Sequence, residues 1–135
     1  MTYLIDTNIF IILLKKKGPD GARIAERLRR EPDYGICTSS IVEAELWSGA
    51  AKYEVPSARR QTLTILLAPY RILSFNSACV PHYAAIRHHL EKLGRIIGGN
   101  DLLIAATALA NNLTVVTHNG AEFARVPGLK WEDWA

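Results

Sequence analysis

Tyr3-Leu4-Ile5-Asp6-Thr7-Asn8-Ile9-Phe10-Ile11-Ile12-Leu13-Leu14 decides the fold class of this chain. Tyr3-Leu4-Ile5 reads as a short buried strand and Asp6-Thr7-Asn8 as a polar turn. Residues 9–14 form an apolar helical stretch, closed by Lys15-Lys16-Lys17-Gly18-Pro19. The same alternation continues outward. Residues 20–30 are expected as an amphipathic helix with Ile24 and Leu28 inward, 34–38 as a strand after the break at Pro32, and 41–53 as a helix. A helix at 57–67, a strand at 71–75 and a long helix at 78–93, stopped at Gly94, follow. Past Gly98-Gly99-Asn100, residues 101–110 are apolar almost all round and so read as a buried helix. A strand at 114–117, a helical turn at 121–123 and a last strand at 129–131 complete the order. Parallel neighbours need crossovers, and the crossovers must hide both faces of the sheet. The expected fold is therefore a single α/β domain over 1–135, an α/β/α sandwich whose central parallel sheet has four to five strands flanked by helices.

Composition agrees and excludes several classes. With 49% hydrophobic and 21% charged residues, the 135-residue chain is neither disordered nor fibrous. No apolar run approaches the roughly 20 residues of a bilayer crossing, and no basic stretch precedes the first apolar run, so a cytoplasmic protein is expected. Cys37 and Cys79 lack metal or redox spacing and read as buried thiols. A net charge of +3 permits contact with nucleic acid without establishing it.

In such sheets ligands bind at the carboxyl ends of the strands, where Asp6 and Asn119 fall. Most acids of the chain sit among basic or turn residues and need no special role. Asp6 and Asp101 differ, because each abuts a strongly apolar element, where a carboxylate must be bonded, paired or bound to a cation. Helix capping is the plain alternative for both. Asn100, however, is a sufficient N-cap, leaving Asp101 free to point elsewhere. On the helix at 41–53, Glu43 and Glu45 flank the apolar stripe equally. Ser40 with Glu43 matches a capping box, which leaves Glu45 as the better ligand. Three converging carboxylates repel, and an oxygen-ligated divalent cation, Mg²⁺ or Mn²⁺, relieves the repulsion while leaving coordination places for phosphate and an attacking water.

These residues carry a family resemblance. Leu4-Ile5-Asp6-Thr7-Asn8, Glu45-Leu46 with Gly49, Gly98-Gly99-Asn100-Asp101-Leu102-Leu103-Ile104-Ala105-Ala106, and Thr117-His118-Asn119 with Phe123 occur in the order seen in PIN domains. The chain resembles most closely the VapC-type toxins of type II toxin–antitoxin pairs. The resemblance implies an endoribonuclease that cuts tRNA or other structured RNA by metal-activated water attack, with Asp6, Glu45 and Asp101 as metal-binding catalytic acids. It also implies a homodimer or larger assembly inhibited by a VapB-like antitoxin. Asn119 stands where many members carry a fourth acid; its amide could orient water or substrate but supplies no charge. Thr117, Asn8 and Asn100 are accessory candidates.

Other readings compete. Lys15–Lys17, Arg29-Arg30, Arg59-Arg60 and Arg87, Lys92 and Arg95 could track phosphates, although such runs are more often solvated faces. His82, His88 and His89 lack the pairing of a zinc helix. Trp131, Trp134, Tyr3 and Phe10 could stack on bases, but fit core or dimer contacts better. Trp47 and Leu46 are candidates for an apolar surface that a partner uses. A phospho-acceptor module would need further acids and a late-strand lysine, and an Asp-x-Asp phosphatase meets Asn8 at its second acid. The remaining alternative is an inactive PIN-like module that only binds RNA or protein.

Overall fold

The computed structural model describes residues 1–16 and 18–135; Lys17, part of the first basic run, lies outside them. The chain runs β1 (Tyr3–Ile5), α1 (Thr7–Lys15), α2 (Gly18–Arg30), β2 (Ile36–Ser39), α3 (Ser40–Ala50), α4 (Pro56–Leu67) and β3 (Arg71–Leu73). It continues α5 (Val80–Lys92), α6 (Gly99–Ala110), β4 (Thr114–Val116), α7 (Gly120–Phe123) and β5 (Trp131–Glu132). Short 3-10 turns at Asp33–Gly35 and Ser77–Cys79 replace the starts of the strand expected at 34 and the helix expected at 78. The last strand sits two residues later than expected, because Lys130 O and Glu132 O accept the ladder bonds from Val115 and Thr117.

All five strands are parallel, in the order β3-β2-β1-β4-β5. β1 is central, and Leu4 and Ile5 are buried completely. Its neighbours are as apolar as a strand covered on both faces should be: Ile36, Cys37, Val115 and Val116 have next to no exposure. Thr38, the polar exception, donates its hydroxyl to Ile5 O at 2.7 Å and is thereby satisfied. Connections run leftward from β1 through β2 to β3 and rightward from β4 to β5. With right-handed crossovers, these opposite directions put α1–α4 and α5–α7 on opposite faces.

The buried helix expected at 101–110 is α6. Leu102, Ile104, Ala105, Ala106, Thr107 and Ala108 are all buried, between β4, α5 and α3. The long helix α5 ends as expected at Gly94, which adopts a φ of +66° that residues with a Cβ rarely take. On the far side of the sheet, Trp134 packs edge-on against Tyr3 with ring centroids 5.0 Å apart, and the Arg27 guanidinium of α2 lies 4.5 Å over the Trp134 ring. These aromatics are core contacts, as is Phe10. No helix among the described residues is long and apolar enough to cross a membrane.

Because Ile104 has no exposed surface in this layer, Ile104→Ala should lower the unfolding free energy by about 2–5 kcal/mol. Urea denaturation followed by circular dichroism measures it, and a loss below about 1 kcal/mol would mean that α6 is not held in a packed core.

Candidate active site

Chain direction reverses between β1 and β4, which opens a crevice at the carboxyl ends of these two strands. Asp6 is the first residue beyond β1. Its backbone N–H extends the ladder to Val116 O at 2.9 Å, and the residue is only 4% exposed. It occupies the N-cap position of α1 but makes no side-chain cap bond, so capping does not explain it. Instead Oδ2 accepts a 2.8 Å hydrogen bond from the buried Thr117 hydroxyl. Burial raises the pKa of Asp6, while Thr117 and the backbone N–H of Thr7 pull it back; Glu45 and Glu122 raise it further by repulsion.

Glu45 enters from α3. Its Oε1 accepts a 2.7 Å bond from Thr7 Oγ1, the first residue of α1. The preference for Glu45 over Glu43 stands on this contact, not on the capping box. In the structure the cap is Ser39, whose hydroxyl accepts from Val42 N at 3.2 Å; Ser40 is already helical. Glu43 instead borders a surface cavity with Ser40, Ala44 and Trp47.

Asp101 sits in the first turn of α6, which begins two residues earlier than expected. Gly98, not Asn100, is its N-cap, and no side chain caps it. Gly98 O accepts from Leu102 N at 3.0 Å and so opens the helix a residue ahead of Gly99. Asn100 is thus an exposed residue of the first turn. Asp101 Oδ2 accepts a 3.3 Å bond from the Asn119 amide. Thr117 Oγ1, besides donating to Asp6, accepts from Asn119 N at 2.9 Å. Asn8 Oδ1 accepts from His118 N at 3.0 Å, tying α1 to the same loop. Thr117, Asn119 and Asn8 are thus brought together as supports of the acids.

The sequence expectation missed one residue. Asn119 carries no charge, but Glu122, one turn further along α7, does, and its carboxylate shares a hydrogen bond with Asp101. The backbone of Gly98 passes beside both; a Cβ built there would lie 3.6 Å from Asp101 Oδ2 and 4.0 Å from Glu122 Oε2. Desolvation, that shared bond and repulsion from Asp6, Glu122 and Glu45 push Asp101 up to about 8. Glu122 is held low by the bond from Asp101, by Asn119, by the Gly98 N–H and by the charge of Arg125. Four carboxyl groups therefore influence one another here, and the last strand-end loop supplies its acid from a helix, not from the strand end.

All of these donors are oxygens, the set that hard divalent cations of the Mg²⁺ or Mn²⁺ type select. Among the described residues, no three His, Cys, Asp or Glu side chains close into a finished ion cage. The acids are satisfied by Thr7, Thr117, Asn119 and a proton held between Asp101 and Glu122. A cation would displace that proton, so the residue types fit the group. Elsewhere, most of the basic clusters have local partners: Arg29 pairs with Glu26, Arg87 with Glu91 and Tyr83, and Arg59 and Arg60 lie over Tyr53 and Trp47. His82 and His89 line a cavity of about 390 Å³ between α5, Leu109 and Pro127. Cys37 and Cys79 are free and buried, as expected.

The PIN domain family model matches residues 3–129. The chain is 40% identical over 134 residues to ribonuclease VapC2 of Rickettsia felis, covering 99% of this chain and 98% of that one. It is 33% identical over 135 residues to the tRNA(fMet)-specific endonuclease VapC of Shigella flexneri, covering 100% and 99%. Among solved structures, DNA-bound VapBC from Salmonella typhimurium superposes with a TM-score of 0.91 at 32% identity, covering 100% of this chain and 99% of that one.

The raised value of Asp101 fixes the sign of a pH effect in metal-free protein. Its folded form holds a proton more tightly than the unfolded chain, so stability falls as pH rises from its ordinary 3.8 through about 8. Glu122, lowered from 4.5, titrates on the acid side of that window. Thermal melts in EDTA should therefore show Tm falling between about pH 5 and pH 8, with Asp101→Asn removing most of the slope. A wild-type profile that is flat or rises there would refute the shared-proton arrangement.

Proposed function

This chain belongs to the PIN domain family, and on that premise we propose that it is a metal-dependent endoribonuclease toxin of the VapC type. Asp6, Glu45 and Asp101 hold a divalent cation, with Glu122 as the fourth acid of the same cluster. The observation that carries this reading is the gathering of four carboxyl groups at the crevice between β1 and β4, in a chain whose relatives over its full length are ribonucleases. Carboxylates that repel one another are costly to keep together unless a cation is their usual partner.

When bound, Mg²⁺ or Mn²⁺ would supply positive charge to the phosphodiester and raise the acidity of an attacking water. The chain's own residues do the rest. Thr117 fixes the orientation of the Asp6 carboxylate by its bond to Oδ2. Thr7 sets Glu45 against the start of α1, and Asn119 holds Asp101 by a neutral amide that adds no further repulsion. The pair Asp101 and Glu122 shares a proton when no cation is bound and gives it up to become ligands when one is.

The partner follows from the same relatives. Since the superposing Salmonella chain is solved within VapBC, a VapB-like antitoxin is proposed as the inhibitor of this chain, and a homodimer as its own assembly. The substrate is RNA, with tRNA the proposed class from the Shigella relative. The protein acts in the cytoplasm on this reading.

Purified protein freed of any bound partner should cut a cellular RNA pool into discrete fragments with Mg²⁺ or Mn²⁺ and not in EDTA. Outer-sphere partners of metal ligands alone are worth roughly 10- to 100-fold. Loss of a ligand itself, in Asp6→Asn, Glu45→Gln, Asp101→Asn or Glu122→Gln, should therefore lower the rate at least about 100-fold. Unchanged cleavage by Asp6→Asn or Asp101→Asn would overturn the assignment. Folded, metal-supplied wild type without cleavage would favour a binding module instead.

A further inference from the structure

Glu122 reaches the cluster from α7, a helix of four residues. A single turn cannot hold itself, since helix formation requires a costly nucleus that only longer segments offset. The position of Glu122 must be imposed from outside, and the structure shows three contacts that do so. At its last residue, Phe123 is completely buried. At the first residue, the ring of Trp131 lies against Gly120 so closely that an added Cβ would stand 2.3 Å from two of its ring carbons. Trp131 belongs to β5, which is fixed by pairing with Val115 of β4, so the indole is a seat of known register.

Just past the helix, Arg125 Nη1 donates to Arg95 O at 3.5 Å and Ile96 O at 3.3 Å. Its Nε is buried with no partner, so the side chain is held in this place although it does not satisfy all of its donors there. The two carbonyls belong to the segment that leads into Gly98 and α6. Gly98 offers its N–H to Glu122, and Asp101 follows three residues on. The Arg125 side chain therefore ties the segment after Glu122 to the backbone that leads into the turn carrying Asp101, and its charge favours ionised Glu122.

We infer that Trp131 on Gly120, and Arg125 on the Arg95 and Ile96 carbonyls, are positioning contacts that set the spacing of Glu122 from Asp101 for cation binding. None of these three residues touches the reacting atoms. The inference rests on the functional reading above and adds to it what determines the geometry of the fourth acid. Packing partners of this kind act on metal affinity rather than on the chemical step at saturation.

The test uses the full chain and reads Mn²⁺ binding by calorimetry without RNA, beside the Mn²⁺ dependence of cleavage. Trp131→Ala, Gly120→Ala and Arg125→Ala should each weaken Mn²⁺ binding about tenfold or more, with the cleavage rate largely regained at saturating Mn²⁺. Trp131→Phe, which keeps a ring, and Arg125→Lys, which keeps a donor, should recover part of the loss. The double variant Gly120→Ala/Trp131→Ala should bind no worse than Trp131→Ala alone, because both changes remove one contact. Mn²⁺ affinity within about twofold of wild type in all three single variants, whatever their Tm, would overturn the inference, as would additive losses in the double variant. If Arg125→Ala does not fold, the Gly120 and Trp131 set decides alone. Wild type that binds no Mn²⁺ and cuts no RNA removes the functional reading and this inference together; wild type that does both, with variants equal to it, removes this inference only.

Discussion

The hydrogen bond from Thr117 to Asp6 joins the ends of β1 and β4 across the point where the chain reverses its direction through the sheet. A carboxylate almost wholly removed from water is expensive to keep charged, and the hydroxyl offsets part of that expense. Because the same hydroxyl accepts from Asn119 N, the loop beyond β4 is held by the bond that steadies Asp6. That loop then delivers the Asn119 amide to Asp101 and leads into α7. Removing this one bond would leave Asp6 with only the Thr7 N–H and the loop with only the bond from His118 N to Asn8, whereas no comparable loss follows from the exposed ion pairs of α2 or α5.

The fold was legible because its decisive signals are local. A three-residue apolar strand, a polar turn and an apolar helix recur along the chain, and burial on both faces removes the alternation that an antiparallel sheet would show. Asp6 and Asp101 were legible for a related reason: each is a charge set against an apolar element. Glu45 was preferred on a capping argument that the structure does not support, since Ser39 caps α3 and Glu43 takes no part in the cap. What separates the two glutamates is Thr7, 38 residues away in sequence, and no periodicity within one helix contains that contact.

Glu122 was missed because of where charge was sought. A fourth acid was expected at the strand end, and Asn119 stands there. The acid arrives three residues later because one helical turn brings position i+3 back to the same side as position i. The signal was present in Asn119-Gly120-Ala121-Glu122-Phe123, whose phenylalanine was recognised while the neighbouring acid was not. Asn100 was misplaced for an equally local reason. Polar residues are favoured N-caps, yet the backbone bond from Leu102 N to Gly98 O starts α6 earlier and puts Asn100 inside it.

The acids of the cluster come from positions 6, 45, 101 and 122, and the strand that completes their crevice, β4, is among the last elements in the chain. Synthesis proceeds from the first residue, so Asp6 leaves the ribosome long before Thr117, its partner 111 residues on, exists. Until then β1 lacks a neighbour on one side and the crevice has only one wall. A nascent chain of this topology therefore carries no assembled acidic cluster until β4 and α7 have been made. Whatever this centre does to RNA begins only once β4 has emerged and paired with β1, which separates the making of its first acid from its action in time.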